Sequence, residues 1–104
     1  MIQELNVNNF DQEINNDKPV VVEFYATACS HCKKLAGALN KLSEEKGDDV
    51  FFGKCNIDQE ALLQSRFDIS AVPTLLFIKN GEIKNRLVGE VHPLIIQEEI
   101  KKLA

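Results

Sequence analysis

The chain has 104 residues, of which 44% are hydrophobic and 27% charged, and its formal net charge is −4. A chain of this length buries roughly two-thirds of its unfolded surface, so residues 1–104 can form one domain without disulfide support. The acidic balance and the scattered basic residues argue against a nucleic-acid or membrane partner. The N-terminus lacks a basic segment followed by an apolar one, and no window approaches 18 apolar residues, so we expect a cytoplasmic protein.

The first quarter of the chain predicts a strand, a helix and a second strand. Residues 2–7 alternate weakly between apolar and polar side chains, as in a short edge strand. Asn9 is followed three residues later by Gln12, which predicts an N-capped helix over residues 8–14. Residues 20–26 are an apolar run without alternation. Such a run is typical of a central strand that is covered on both faces.

The middle of the chain predicts two more helices and a strand between them. Cys29 and Cys32 open an amphipathic segment whose leucines recur at helical spacing through residues 33–42. After a turn, residues 50–57 have the composition of a strand. Residues 58–67 are rich in helix formers, and the aspartate at their start is the expected N-cap.

The last third of the chain predicts a hairpin and a final helix. Residues 75–78 and 83–88 are strand-like, and the Asn-Gly pair between them is a strong hairpin signal. Pro93 begins the last helix, where its missing N–H does no harm. The order of elements predicts an α/β fold, with a central mixed sheet of about five strands and about four helices on both faces. Expected core residues of the last helix are Leu94, Ile95, Ile100 and Leu103.

The Cys-x-x-Cys pair contains the main candidate reactive residues of the sequence. Cys29 is expected at the positive end of the helix, where free backbone N–H groups favour a thiolate. In a reducing compartment, such a close pair is catalytic or metal-binding rather than a structural bridge. The metal alternative uses Cys29, His31 and Cys32 for zinc or an iron–sulfur cluster. No second pair with ligand spacing exists in the sequence.

Two side chains in the predicted strands are unusual for their positions. Glu23 is a carboxylate within an apolar strand, so it either points to an edge or is buried with a raised pKa. Cys55 shares a strand face with Phe51 and Ile57. Free cysteine is often buried, and we expect Cys55 to be an inert core thiol.

The sequence resembles thioredoxins over nearly its whole length. A Cys-x-x-Cys followed by Val-Pro-Thr and then Asn-Gly is specific for that family. The resemblance implies the thioredoxin fold and dithiol–disulfide oxidoreductase activity on protein disulfides. It also implies a monomer that needs no metal or organic cofactor and is recycled by a thioredoxin reductase or a thiol pool. The matching segments are residues 21–26 (VVEFYA), 54–58 (KCNID), 72–75 (VPTL), 79–81 (KNG) and 88–89 (VG).

The resemblance assigns roles to particular residues. Cys29 is implied as the nucleophile that forms a mixed disulfide, and Cys32 as the thiol that resolves it. Pro73 matches the family's cis-proline, beside which the backbone of Val72 pairs with an extended substrate segment. The remaining members of the implied substrate-binding set are Ala28 and Gly89.

Glu23 stands where thioredoxins carry a buried aspartate that exchanges protons with the resolving cysteine. Its match implies proton transfer with Cys32, and Lys54 is implied as the partner of Glu23. A carboxyl with a raised pKa can take a proton at neutral pH, which supports the same role. The alternative is that Glu23 reaches solvent or simply pairs with Lys54.

The active-site motif departs from the family pattern. Ala28, Ser30 and His31 replace the usual Trp, Gly and Pro, and Gly37 replaces a proline that kinks the helix, so we expect a weaker kink or none. A protonated His31 would stabilise the Cys29 thiolate and make the couple more oxidising. Such a rise in the reduction potential is in the direction of disulfide isomerases and oxidases. A role like theirs is therefore an alternative. A neutral, exposed His31 would change little.

Overall fold

Residues 2–104, which the computed structural model describes, form strands and helices in the predicted order. This range contains no helix long and apolar enough to cross a membrane. Its strands are β1 (Gln3–Glu4), β2 (Val20–Tyr25), β3 (Phe51–Asn56), β4 (Thr74–Lys79) and β5 (Glu82–Val88). Its helices are α1 (Phe10–Ile14), α2 (Ser30–Lys46), α3 (Ala61–Arg66) and α4 (Pro93–Lys102).

The strands form one mixed sheet in the order β1-β3-β2-β4-β5. β1, β3 and β2 run parallel, whereas β4 is antiparallel to both β2 and β5. β2 is central, and its first five residues are buried, which explains its unbroken apolar run. The edge strand β1 has only two residues, because the chain leaves the sheet soon after Leu5 donates its N–H to Lys54. The predicted α/β architecture is confirmed.

Apolar side chains cover the sheet on both faces. On one face α1 and α3 bury Phe10 and Phe67 against Phe24 of β2, with ring centroids 5.0 to 6.2 Å apart. On the other face, leucines of α2 and isoleucines of α4 pack against Val21. Burial of each large apolar side chain stabilises the fold by roughly 1.5–3 kcal/mol. The sheet, with the end of β2, is therefore held between two packed layers, and α2 belongs to one of them.

The entry into α1 differs from the prediction. Asn9 is the residue before the helix, but its side chain makes no capping hydrogen bond. Instead, the Asn6 side-chain oxygen accepts the N–H groups of Asn8 and Asn9, and Asn9 in return accepts the Asn6 N–H. This reciprocal pair satisfies the backbone before the helix, which begins only at Phe10. The predicted Asn9 cap was wrong.

The aspartate expected to cap α3 has another role. α3 begins at Ala61, not at residue 58, and the side chain of Glu60 before it makes no cap. Asp58 instead accepts the backbone N–H of Thr27 at 2.9 Å, and Asn56 donates to the Thr27 hydroxyl at 3.1 Å. The end of β3 is thereby tied to the loop that leads into α2. The predicted Asp58 cap was wrong because this tertiary contact takes the carboxylate.

The core face of α4 is rotated from the predicted one. Ile100 and Leu103 are buried as expected, but Leu94 and Ile95 are 62% and 47% exposed. Ile96, which the prediction omitted, is fully buried. Because Ile96, Ile100 and Leu103 follow the spacing of one helix face, they pack together on the sheet. The prediction was wrong for the first turn of the helix.

α2 runs without interruption through Gly37, and the expected weaker kink or none at this residue stays a prediction. A Cβ atom added at Gly37 would have no neighbour within 4 Å. The Gly37→Ala variant is therefore expected to raise the free energy of unfolding by about 0.5–1 kcal/mol, because alanine loses less backbone entropy in a helix. Thermal unfolding should show a rise in Tm of about 2–8 °C.

The matched control for that variant is Gly53→Ala in β3. A Cβ atom there would lie 2.6 Å from the Leu5 side chain, so this change is expected to destabilise the fold by roughly 1–3 kcal/mol. An equal effect of the two substitutions would contradict the argument from local space.

Candidate active site

The two cysteines lie where β2 is followed by α2. Cys29 is the N-cap residue of α2 in an extended conformation, and Cys32 lies in the first turn of the helix. Their sulfurs form a disulfide, with Cα atoms 5.2 Å apart, within the usual range for such a bond. Cys29 is partly exposed, whereas Cys32 is only 2% exposed. An incoming group therefore meets the Cys29 sulfur first.

The helix supplies the electrostatic environment of Cys29. Its sulfur accepts the backbone N–H of Cys32 at 3.2 Å and thus acts as the cap of α2. The Cys32 N–H and the dipole of α2 would stabilise a negative charge on this sulfur after reduction. The Cys29 sulfur also lies 4.0 Å from the Val72 carbonyl oxygen.

A cis-proline lies beside this sulfur. The peptide bond between Val72 and Pro73 is cis, which agrees with the form implied by the resemblance. The Pro73 carbonyl accepts the N–H of Gly89 at 2.8 Å. Gly89 has a φ of +98°, a conformation that glycine adopts without strain. The start of β4 is thus joined to the end of β5 next to the cysteines. Ala28 is exposed on the same loop as Cys29.

His31 contacts a residue that the sequence analysis did not identify. Its Nδ1 atom lies 2.8 Å from Oε1 of Glu90, just after β5. The His31 side chain is 68% exposed and that of Glu90 38%. The pair is 59 residues apart in sequence, so no local pattern could reveal it. Ser30 is also exposed, at the first position of the helix.

Glu23 is buried in the centre of the sheet. It is 1% exposed, and its Oε2 atom has no hydrogen-bond partner among residues 2–104. Burial raises the pKa of the Glu23 carboxyl to about 7, against a smaller lowering effect of the Lys54 charge. Lys54 lies opposite Glu23 in the strand register, but its ammonium is 3.9 Å from Glu4 and stacks over the Tyr25 ring. Glu23 therefore does not reach solvent.

A cavity of about 430 Å³ connects Glu23 with the inner cysteine. The carboxyl lies on the same face of β2 as Val21, which is the face that α2 covers. The lining of the cavity includes Glu23, Cys32, Lys54, Tyr25 and Asn56. The arrangement gives the carboxyl and the Cys32 sulfur access to one shared space.

The third cysteine lies apart from this site. Cys55 is fully buried in the core layer under α1 and α3, and burial raises the pKa of its thiol to about 12. The predicted burial of the Cys55 thiol is confirmed, and its lack of reactivity stays a prediction. Within residues 2–104, no group of three or more His, Cys, Asp or Glu side chains is arranged to hold a metal ion. The metal alternative through Cys29, His31 and Cys32 therefore has no support.

A pair of cysteines joined as a disulfide at an accessible helix end is the site of a dithiol–disulfide oxidoreductase, and this is the class of protein that the fold and the site define. The family model of thioredoxin matches residues 1–102. The chain belongs to the thioredoxin family.

Several characterised thioredoxins are similar to this chain. Thioredoxin of Alicyclobacillus acidocaldarius is 38% identical over 81 residues, which are 78% of this chain and 77% of that protein. Thioredoxin-1 of Saccharomyces cerevisiae is 40% identical over 91 residues, 88% of this chain and 86% of that one. The crystal structure of Malassezia sympodialis thioredoxin has a TM-score of 0.88 at 33% identity and covers 98% of this chain and 92% of its own. The predicted thioredoxin fold is confirmed.

Other relatives are longer than this chain. It spans 56% of mouse mitochondrial thioredoxin and 59% of the pea chloroplast M-type thioredoxin. Because some relatives belong to organelles, the similarity does not test the expected cytoplasmic location, which stays a prediction.

Proposed function

We propose that this protein passes two electrons from its Cys29–Cys32 dithiol to disulfides in other proteins. The observation that carries the proposal is the Cys29 sulfur at the N-cap of α2, partly exposed and accepting the Cys32 N–H. A thiolate at this position is both stabilised and accessible, as attack on a disulfide requires. Initial attack by Cys32 is disfavoured because its side chain is buried.

The proposed reaction has two exchange steps. The Cys29 thiolate attacks one substrate sulfur, so that a mixed disulfide forms and the other substrate sulfur leaves as a thiolate. Cys32 then attacks the Cys29 sulfur, which releases the second substrate thiol and leaves the protein's own disulfide. We assign the Cys32 proton to the Glu23 carboxylate, because the two side chains line one cavity and a pKa of about 7 suits transfer at neutral pH. Lys54 acts on Glu23 through its charge.

The proposed substrate site is the backbone around the cis-proline. An extended substrate segment pairs with the backbone of Val72, whose carbonyl oxygen is 4.0 Å from the Cys29 sulfur. We also assign Pro73, Ala28 and Gly89 to the site that binds this substrate segment. A thioredoxin reductase or a thiol pool returns the protein to the dithiol form. The expected monomeric state stays a prediction.

Insulin reduction driven by dithiothreitol tests the proposed function. Catalytic amounts of the protein are expected to accelerate the precipitation of the reduced insulin chains, measured as turbidity. A Cys55→Ala variant keeps the Cys29–Cys32 pair and is expected to retain this acceleration. A wild-type protein that leaves the precipitation rate unchanged would overturn the proposal.

We also propose that the Cys29–Cys32 redox couple is more oxidising than the couple of a thioredoxin with Gly-Pro between its cysteines. A positive charge on His31 favours the thiolate of the reduced form, and 1.4 kcal/mol of such preference raises a two-electron potential by about 30 mV. The His31→Pro variant is therefore expected to lower the reduction potential by up to about 30 mV, as measured by equilibration with glutathione buffers. A Ser30→Gly variant, which keeps the imidazole, should show a smaller change. An unchanged potential in His31→Pro would contradict this part of the proposal.

A further inference from the structure

A groove of about 370 Å³ runs beside the cis-proline. The Val72 carbonyl, at its edge, is 4.0 Å from the Cys29 sulfur. When a substrate pairs with Val72 as proposed, a residue next to its reactive cysteine lies at this groove. The groove is lined by His31, Val72, Pro73, Gly89 and Glu90.

The groove contains the Glu90 carboxylate, of which only one oxygen makes a hydrogen bond. Of its five lining residues, His31 and Glu90 are the ionisable ones. Oε1 of Glu90 is 2.8 Å from the His31 ring nitrogen, whereas its Oε2 makes no hydrogen bond within residues 2–104. The groove therefore presents a carboxylate oxygen that is free to accept a hydrogen bond from a bound substrate.

The position of this carboxylate is fixed from two sides. Gly89, the residue before it, donates its N–H to the Pro73 carbonyl and so ties the backbone to the cis-proline. His31 holds the side chain from α2. A group that is already ordered loses less entropy when it binds a partner.

We propose that Glu90 is a specificity-determining residue that favours disulfide substrates with a lysine or arginine beside the reactive cysteine. The inference rests on the proposed function, because it concerns the same exchange reaction. The free Oε2 of Glu90 accepts a hydrogen bond from the substrate ammonium or guanidinium while Oε1 keeps its contact with His31. A substrate carboxylate at the same position is repelled.

The test compares three peptides that contain the same disulfide and differ in one residue beside the cysteine: lysine, glutamine or glutamate. The reduced protein converts each peptide disulfide to two thiols while its own pair becomes a disulfide, and acid-quenched chromatography gives kcat/KM at low ionic strength. We expect wild type to prefer the lysine peptide over the glutamate peptide by about two- to fivefold, the range of an exposed ion pair. Glu90→Gln should bring the ratio close to one, and Glu90→Lys should invert it.

A second acidic residue provides the matched control. Glu82 lies at the opposite end of β5 and pairs with Lys84, so Glu82→Gln removes the same charge far from the groove and should keep the wild-type ratio. If wild type and Glu90→Gln show the same lysine-to-glutamate ratio while both reduce the glutamine peptide, the inference is overturned and the proposed function stands. If no peptide is reduced by wild type, the proposed function itself fails, and the inference fails with it.

Discussion

A Cys29→Ser variant is expected to reduce insulin no faster than the uncatalysed background. A serine hydroxyl is not ionised at neutral pH and cannot form a disulfide with the substrate, so both exchange steps are lost. The change is small in volume and lies at a partly exposed position, and serine can still act as an N-cap of α2. The fold should therefore persist, and circular dichroism checks that it does.

The matched control for this variant is Cys32→Ser. That variant keeps the nucleophile and loses only the resolving thiol, so it is expected to accumulate a mixed disulfide with the substrate and not to turn over. Non-reducing electrophoresis detects the adduct. Insulin reduction by Cys29→Ser at a rate near that of wild type would show that another thiol starts the reaction.

The Glu23→Gln variant is expected to lose most of the wild-type dependence of stability on pH. Burial raises the pKa of the Glu23 carboxyl to about 7, from an ordinary value of 4.5. Between these two pH values the folded protein binds more protons than the unfolded chain, so wild-type stability falls as the pH rises. At 1.36 kcal/mol per pH unit, ionising Glu23 costs about 3 kcal/mol once the pH is above 7. A glutamine of the same shape cannot ionise.

Urea unfolding at pH 5 and pH 8 measures this difference. The loss of free energy of unfolding between the two pH values should be roughly 2–3 kcal/mol larger for wild type than for Glu23→Gln. Glu44→Gln, at an exposed position of α2, should behave as wild type. Equal losses in wild type and Glu23→Gln would mean that the carboxyl is solvated and has no raised pKa.

The sheet and the cysteine site could be predicted from sequence because their signals are local. The apolar run of β2 marks a strand covered on both faces, and the Cys-x-x-Cys sequence before leucines at helical spacing marks the start of α2. The same run left two positions open for Glu23, an edge or the core, and the structure shows that it is buried. Chain order and short connections then define the topology.

The missed features depend on contacts between distant parts of the chain. Asp58 has the sequence of a helix cap, but the backbone of Thr27 takes its carboxylate. Leu94 is as apolar as Ile96, and which of the two is buried depends on the face of α4 that packs on the sheet. Glu90 reaches His31 across 59 residues, and nothing near either residue in the sequence indicates the pair.

The most direct test of the account is alkylation of the fully reduced protein by iodoacetamide at pH 7, followed by peptide mapping. The helix end and the Cys32 N–H favour a thiolate at Cys29, so its modification should be faster than that of an ordinary peptide thiol and should precede modification of Cys32 and Cys55. If Cys29 reacts only as fast as the peptide thiol, or after either of the other two, it is not the activated nucleophile, and the proposed mechanism is wrong.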